Sequence, residues 1–201
     1  MSKRIITISR QFGSGGHTIA RSVADRLGIA FYDSELITEV ARKSGLSEDF
    51  IREHEEYASH SNSFLYQLAM STTGSTGYPS VYQKLYEAQT RVIEEIAEKD
   101  SCVIVGRCAD FILRERTDVL HIFIHADNEH RAAHILERYG ATDKSTAQRI
   151  KDKDSRRRNY YRFHTDREWG VCANYHMALD SGCLGEEMCV DLIVRAARDT
   201  D

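Results

Sequence analysis

Three glycines, Gly13, Gly15 and Gly16, fall within four positions, directly after the β-branched run Ile5 to Ile8 and directly before a helix-like segment. A strand, a glycine-rich turn and a helix, in that order, bring backbone N–H groups and a helix N-terminus to one point, an arrangement that favours a phosphate. Glycine suits such a loop because it accepts positive φ and lets a ligand approach the backbone closely. A plain strand-to-helix turn is the alternative. On the phosphate reading, the binding residues are Arg10, Gly13, Ser14, Gly15, Gly16, His17 and Thr18.

The strict phosphate-loop pattern is G-x-x-x-x-G-K-[ST], with the lysine reaching the β- and γ-phosphates. With its second glycine on Gly15, Arg10 replaces the first glycine, Gly16 the lysine and His17 the hydroxyl residue. Thr18 follows and is expected to offer a hydroxyl to Mg²⁺. Arg10 is the candidate to supply the missing charge; a surface arginine is the other reading.

A second basic constellation is Arg156, Arg157 and Arg158 in "KDKDSRRRNYYR". At 3.6 residues per turn three consecutive residues span about 200° of a helix, so two can face one site. Arg162 follows one turn after Arg158, on the same face. Transfer of a γ-phosphoryl group requires positive charge spread around it. A solvated helix is the alternative, since Lys151, Asp152, Lys153 and Asp154 already carry both signs.

These residues need a scaffold, and the rest of the chain supplies one. The 201 residues suffice for one domain with a sizeable core. Net charge is −4, which argues against a general nucleic-acid binder. No stretch approaches the length of a membrane span, and "MSKR" leads straight into a strand, so a cytoplasmic protein is expected. The five cysteines include no CxxC pair and read as free thiols.

Ala20, Val23, Ala24 and Leu27 recur at helical spacing, and Gly28 ends that helix. "IAFY" reads as a second strand, and residues 81–99 as a helix with Leu85, Ala88, Val92 and Ile96 on one face. "CVIVG" and "VLHIFIHA" are apolar strands, and "NEHRAAHILERYG" is a helix closed by Gly140. Ser145 and Gln148 are placed for a capping box at the start of the long charged helix. "YHMALDS" is the candidate last strand, followed by an amphipathic helix. Residues 59–80, rich in Ser, Thr and Gly, read as a mobile loop. Short apolar strands alternating with helices predict a parallel sheet covered on both faces.

The segments "SRQFGSGG", "FYDSELI", "VIVGRCADFIL", "IFIHA" and "RRRNYYRFHTDREWG…NYHMALDS" occur in an order that resembles the bacterial cytidylate kinase-like family, relatives of the nucleoside monophosphate kinases. The resemblance runs from 4 to 198. It implies an α/β P-loop kinase fold: a five-stranded parallel sheet, a helical acceptor-binding region at 34–100 with a flexible part at 59–80, and a lid at 143–170. It implies phosphorylation of a nucleoside monophosphate by ATP with Mg²⁺, with CMP or dCMP as the default acceptor. A non-catalytic nucleotide or phosphometabolite binder, or a kinase for another small acceptor, are the alternatives. Small-molecule nucleotides are the expected partners, and homo-oligomerisation is left open.

Residue by residue, the resemblance places Arg107 on the acceptor's phosphate and Asp33 and Ser34 near its base and sugar. Helix capping is the alternative for the latter two. Where cytidylate kinases have D-G-R-D, this chain has Val105-Gly106-Arg107-Cys108, so both acids are replaced. Arg156, Arg158 and Asn159 fall on lid positions, and Arg107, Arg156 and Arg158 are the expected catalytic residues.

Trp169 and Tyr161 are aromatic candidates for stacking on a base, with loop anchoring the plainer reading of Trp169. His130 and His134, four apart on a helix, have metal-ligand spacing without a third ligand. His121 and His125, on one strand face, have the same shortfall. Cys108 beside Arg107 raises a thiol reading that lacks a triad.

Overall fold

The computed structural model describes residues 5–33 and 81–198. Ser34, the loop at 59–80 and the rest of 34–80 lie outside the described residues, as does the side chain of Leu85. The elements are β1 Ile5–Arg10, α1 Gly16–Leu27, β2 Ala30–Tyr32, α2 Val81–Lys99, β3 Cys102–Val105, α3 Ala109–Ile112 and β4 Val119–His125. They continue with α4 Asn128–Tyr139, α5 Thr146–Thr165, a 3₁₀ turn at Cys172–Asn174, β5 Met177–Asp180, α6 Ser181–Leu184 and α7 Glu186–Arg198. The strands form one sheet in the order β2-β3-β1-β4-β5, and every pairing is parallel.

This is the five-stranded parallel sheet expected from the sequence. No described helix is long and apolar enough to cross a membrane. All five cysteines are free.

Strand alternation divides the core. Ile6 and Ile8 of β1, Val103 and Val105 of β3, and Ile122 and Ile124 of β4 face α1 and α7, where they meet Ile19, Val23, Val190 and Ile193. Ile5, Cys102, Ile104 and Val119 face the other way, against Val92, Ile93 and Ala97 of α2 and Leu113 beyond α3. Burying an aliphatic side chain of this size contributes about 1.5–3 kcal/mol, so these faces fix which helix lies on which side.

The second face turns polar toward the strands' C-terminal ends. Thr7 Oγ1 lies 2.8 Å from His121 Nδ1, and the His121 N–H donates to His176 Nδ1 at 2.9 Å. The Tyr161 hydroxyl donates to Asp110 Oδ2 at 2.7 Å, and Ser9 reaches Asp110 Oδ1 at 3.5 Å. Buried polar groups need such partners. Burial pushes the Asp110 carboxyl above its ordinary value.

In the order β2-β3-β1-β4-β5 the connections reverse direction between β1 and β3. The helix after β1 lies on one face of the sheet, while α3 after β3 lies on the other. Parallel sheets open a crevice at such a switch point, outside the strands' C-terminal ends. Here that crevice lies between the glycine loop and Arg107.

Helices α2 and α5 meet through His164, whose ring stacks on Tyr86 at 4.0 Å and meets Tyr160 edge-on at 4.5 Å. Burial lowers the His164 pKa from 6.5 to about 4. The unfolded chain therefore binds a proton that the folded one refuses, and stability is lost as pH falls through that interval. Urea denaturation between pH 7 and pH 4 should show this loss, and His164→Phe should reduce its slope.

Candidate functional site

The loop after β1 leads into the start of α1 and is held from several sides. Gly13 and Gly15 have φ of 83° and 71°, the left-handed region that glycine tolerates. The first helical bond of α1 runs from the Ile19 N–H to Gly15 O at 3.0 Å. The N–H groups of Gly16, His17 and Thr18 in the first turn are ones for which a helix provides no carbonyl of its own. Ser181, fully buried, sets its hydroxyl 2.7 Å from Ser14 O and 3.0 Å from His125 O. The loop is thus tied to the C-terminal ends of β4 and β5.

Asp154 of α5 fixes the loop tip. Its Oδ1 accepts the Phe12 N–H at 2.8 Å, and its Oδ2 accepts Arg131 Nη1 of α4 at 2.5 Å. Arg131 also donates to Asn128 Oδ1 at 2.8 Å, and its carbonyl lies 2.8 Å from where a Cβ on Gly13 would be. Glycine at 13 is therefore required by its φ and by the space.

Across the crevice, Gly106, Arg107 and Cys108 have φ of 77°, 57° and 56°, three left-handed residues in succession. The two non-glycine residues cost about 1–2 kcal/mol each. Such strain is found where surrounding contacts enforce it, often at functional positions. Gln89 of α2, buried, donates to the Arg107 carbonyl at 2.8 Å, and the Tyr160 hydroxyl donates to Gln89 Oε1 at 3.1 Å. A chain of side chains from α5 and α2 thus holds the turn that carries Arg107.

Three guanidinium groups converge. Arg10 Nη2 is 3.8 Å from Asp33 Oδ1, and Arg107 and Arg157 are close enough to act on it electrostatically. Arg157 Nη1 donates to the Arg10 carbonyl at 2.8 Å. Burial lowers the Arg10 pKa, with Arg107 adding to the effect against Asp33. Burial and Arg10 lower that of Arg157 to about 9. Asp33 also accepts from His17 Nε2 at 2.9 Å. Two further cations thus act on Arg10, while Asp33 acts on both Arg10 and Arg157, and Asp154 on Arg157 as well.

The chain matches the model of the cytidylate kinase-like family over residues 5–182. The chain belongs to this family. It is 26% identical over 197 residues to the cytidylate kinase of Archaeoglobus fulgidus, covering 95% of this chain and 93% of that protein. A solved structure of an uncharacterized protein from Eubacterium ventriosum superposes with a TM-score of 0.73 at 27% identity, covering 98% and 99% of the two chains. A gluconokinase from Sinorhizobium meliloti shares the fold at a TM-score of 0.50 and 15% identity, covering 96% of this chain and 88% of that one. The architecture is the P-loop kinase fold.

Measured against the sequence-based expectations, the site gathers Arg10, Asp33, His17, Arg107 and the glycine loop, but turns α5 differently. Arg157, not Arg158, meets Arg10; Arg158 is exposed. Arg156 lines a neighbouring cavity of about 310 Å³ with Phe12, Tyr139 and Lys144. Helix α5 is charged all round, so charge pattern cannot set its phase. Its buried residues Ile150, Asp154 and Tyr161 do so, and Arg157 lies on their stripe.

Thr18 Oγ1 accepts from Arg138 Nη1 at 2.7 Å. A guanidinium at that distance opposes a dication, so Thr18 as placed does not fit a Mg²⁺ ligand. No cluster of three or more His, Cys, Asp or Glu suited to a metal occurs among the described residues. His134 pairs with Glu186 at 3.3 Å, and His121 is engaged by Thr7.

Trp169 packs edge-on against Phe123 at 5.3 Å, the loop-anchoring role, and Tyr161 is buried against Asp110. Burial pushes the Cys108 thiol well above its ordinary value, which removes the thiolate a nucleophile needs. Asp110 and Gln89 escaped sequence reasoning, because their partners come from segments distant in the chain.

Asp154→Ala should leave Arg131 buried without its carboxylate. The expected cost is about 3–5 kcal/mol, measured by urea denaturation.

Proposed function

We propose that the chain is a phosphotransferase that moves the γ-phosphoryl group of ATP to a nucleoside monophosphate, with CMP or dCMP as the first acceptors to test. The observation that carries this reading is the convergence of Arg10, Arg107 and Arg157 beside the glycine nest, at the switch point of the sheet. Family membership and the curated relative support it.

An acceptor phosphate oxygen would attack the γ-phosphorus, and the bond from that phosphorus to the β–γ bridging oxygen would break. The products are ADP and a nucleoside diphosphate. The protein's part is positioning and charge neutralisation. The N–H groups of Gly13 to Thr18 would hold donor phosphates, and Arg107, on its strained turn, the acceptor phosphate. Arg157 would neutralise charge on the group in flight, with Arg156 and Arg158 of the lid helix α5 further out. Asp33 orients Arg10 and His17, and Ser34 is proposed to join it on the acceptor side. Mg²⁺ commonly binds through substrate phosphates and water.

The Arg138–Thr18 contact favours a second reading, a nucleotide or phosphometabolite binder without turnover. Replacement of both acids around Arg107 favours a third, a kinase for another small acceptor.

Calorimetric titration with ATP and Mg²⁺, followed by ADP release with a panel of monophosphates, tests the proposal. Binding with acceptor-dependent release is expected; binding without release across the panel would support the second reading. Arg107→Ala should weaken acceptor binding roughly 10- to 100-fold, the loss of a charged hydrogen-bonded contact, and donor binding far less. Unchanged acceptor affinity would overturn that assignment.

A further inference from the structure

Gly16 is a glycine without a backbone reason. It opens α1 with an ordinary negative-φ conformation, unlike Gly13 and Gly15. What it lacks is room. A Cβ at 16 would lie 2.5 Å from Arg10 Cβ and 2.9 Å from Arg10 Cγ. The first of those contacts is to the fixed root of the side chain, which cannot swing aside.

Position 16 is where the strict phosphate-loop pattern has its lysine, and position 10 is where it has its first glycine. The Arg10 stem fills the space through which a side chain from position 16 would leave. Further on, its guanidinium Nη1 lies 2.5 Å from where a Cβ on Gly106 would be. The arginine is therefore threaded between two glycines that are 90 positions apart in the chain. The two departures from the pattern are one exchange: the cation has moved from the helix start to the strand end, and the glycine has moved the other way.

We propose that Arg10 is the phosphate-binding cation of this loop, taking over from the strand end the contact to the terminal phosphoryl group of a nucleoside triphosphate. The identity of that ligand rests on the kinase reading above. A purely structural arginine would be expected to have its charge taken up locally. Asp33, however, stands at 3.8 Å from Arg10 while the same carboxylate holds His17 at 2.9 Å. Arg157 binds the Arg10 carbonyl and adds a further positive charge nearby. The guanidinium lies against Gly106 and beside Asp33, so it would approach the phosphoryl group from the acceptor side.

The test is calorimetry of the full chain with ATP and with ADP in Mg²⁺ buffer, for the wild type, Arg10→Ala, Arg10→Gly, Gly16→Lys and the double variant Arg10→Gly with Gly16→Lys, since alanine at 10 would keep the Cβ that crowds position 16. Arg10→Ala is expected to weaken ATP roughly 10- to 100-fold and ADP much less. Gly16→Lys alone is expected to weaken ATP too, because two side chains compete for one space. The double variant should bind ATP at least about tenfold more tightly than Arg10→Gly, since loss of the Arg10 Cβ gives the lysine room and the lysine restores the charge.

Wild-type ATP affinity in Arg10→Ala, or a double variant no tighter than Arg10→Gly, would overturn the proposal. Should Arg10→Ala fail to give a cooperative thermal melt, Arg10→Gln is read in its place; it keeps most of the stem and removes the charge. A wild type that binds ATP but releases no ADP with any acceptor would sink the kinase reading, while these affinities would still decide the role of Arg10. A wild type without affinity for ATP would overturn both.

Discussion

One buried carboxylate organises the region from which the site is built. Asp154 accepts the Phe12 N–H at the tip of the glycine loop with one oxygen and Arg131 of α4 with the other. A charge at this depth persists only when its partners are in place, so the loop, α4 and α5 have one mutually consistent arrangement. That arrangement sets the phase of α5, and with it which arginine faces the crevice. Arg157 is in contact with Arg10 because it lies about one turn beyond Asp154 on the same stripe.

Two unfavourable features are stored on either side of the crevice. Arg10 is repelled by both Arg107 and Arg157 in a partly dry site. Arg107 and Cys108 sit in a backbone region that costs L-residues energy. The fold sustains both because the sheet beneath is well packed on its α1–α7 face, with Ile6, Ile8, Ile122 and Ile124 buried. A bound anion would relieve the first and make use of the second. This gives a physical account of a site with a reversed pattern of glycines: some serve backbone conformation, as Gly13 does, and others serve only to clear a path, as Gly16 does.

The polar network under the other face explains why some residues with chemical side chains play no part in the crevice. His121, His176 and Thr7 bond to one another between β1, β4 and the start of β5. Asp110, the carboxylate nearest to the Arg107 turn along the chain, is spent on Tyr161 and Ser9. Local motif comparison misses such residues because their partners are 51 and 101 positions away.

The linear sequence by itself determined the order of strands and helices, the glycine nest and the family. Those features rest on local rules: side-chain periodicity, glycine's tolerance of positive φ, and motif order along the chain. The capping of α5 by Ser145, which accepts the Gln148 N–H at 3.2 Å, was legible for the same reason. Only the tertiary structure decided the rest. Three adjacent arginines on a helix charged all round have no local signal for direction; the contact of Asp154 with a loop 142 residues away provides it. Thr18 looked open until α4 brought Arg138 against it across 120 positions. Gly16 looked like a lost lysine until the return of β3 beside β1 showed Arg10 running between it and Gly106. These outcomes depend on excluded volume and charge pairing between distant segments, which sequence spacing does not encode.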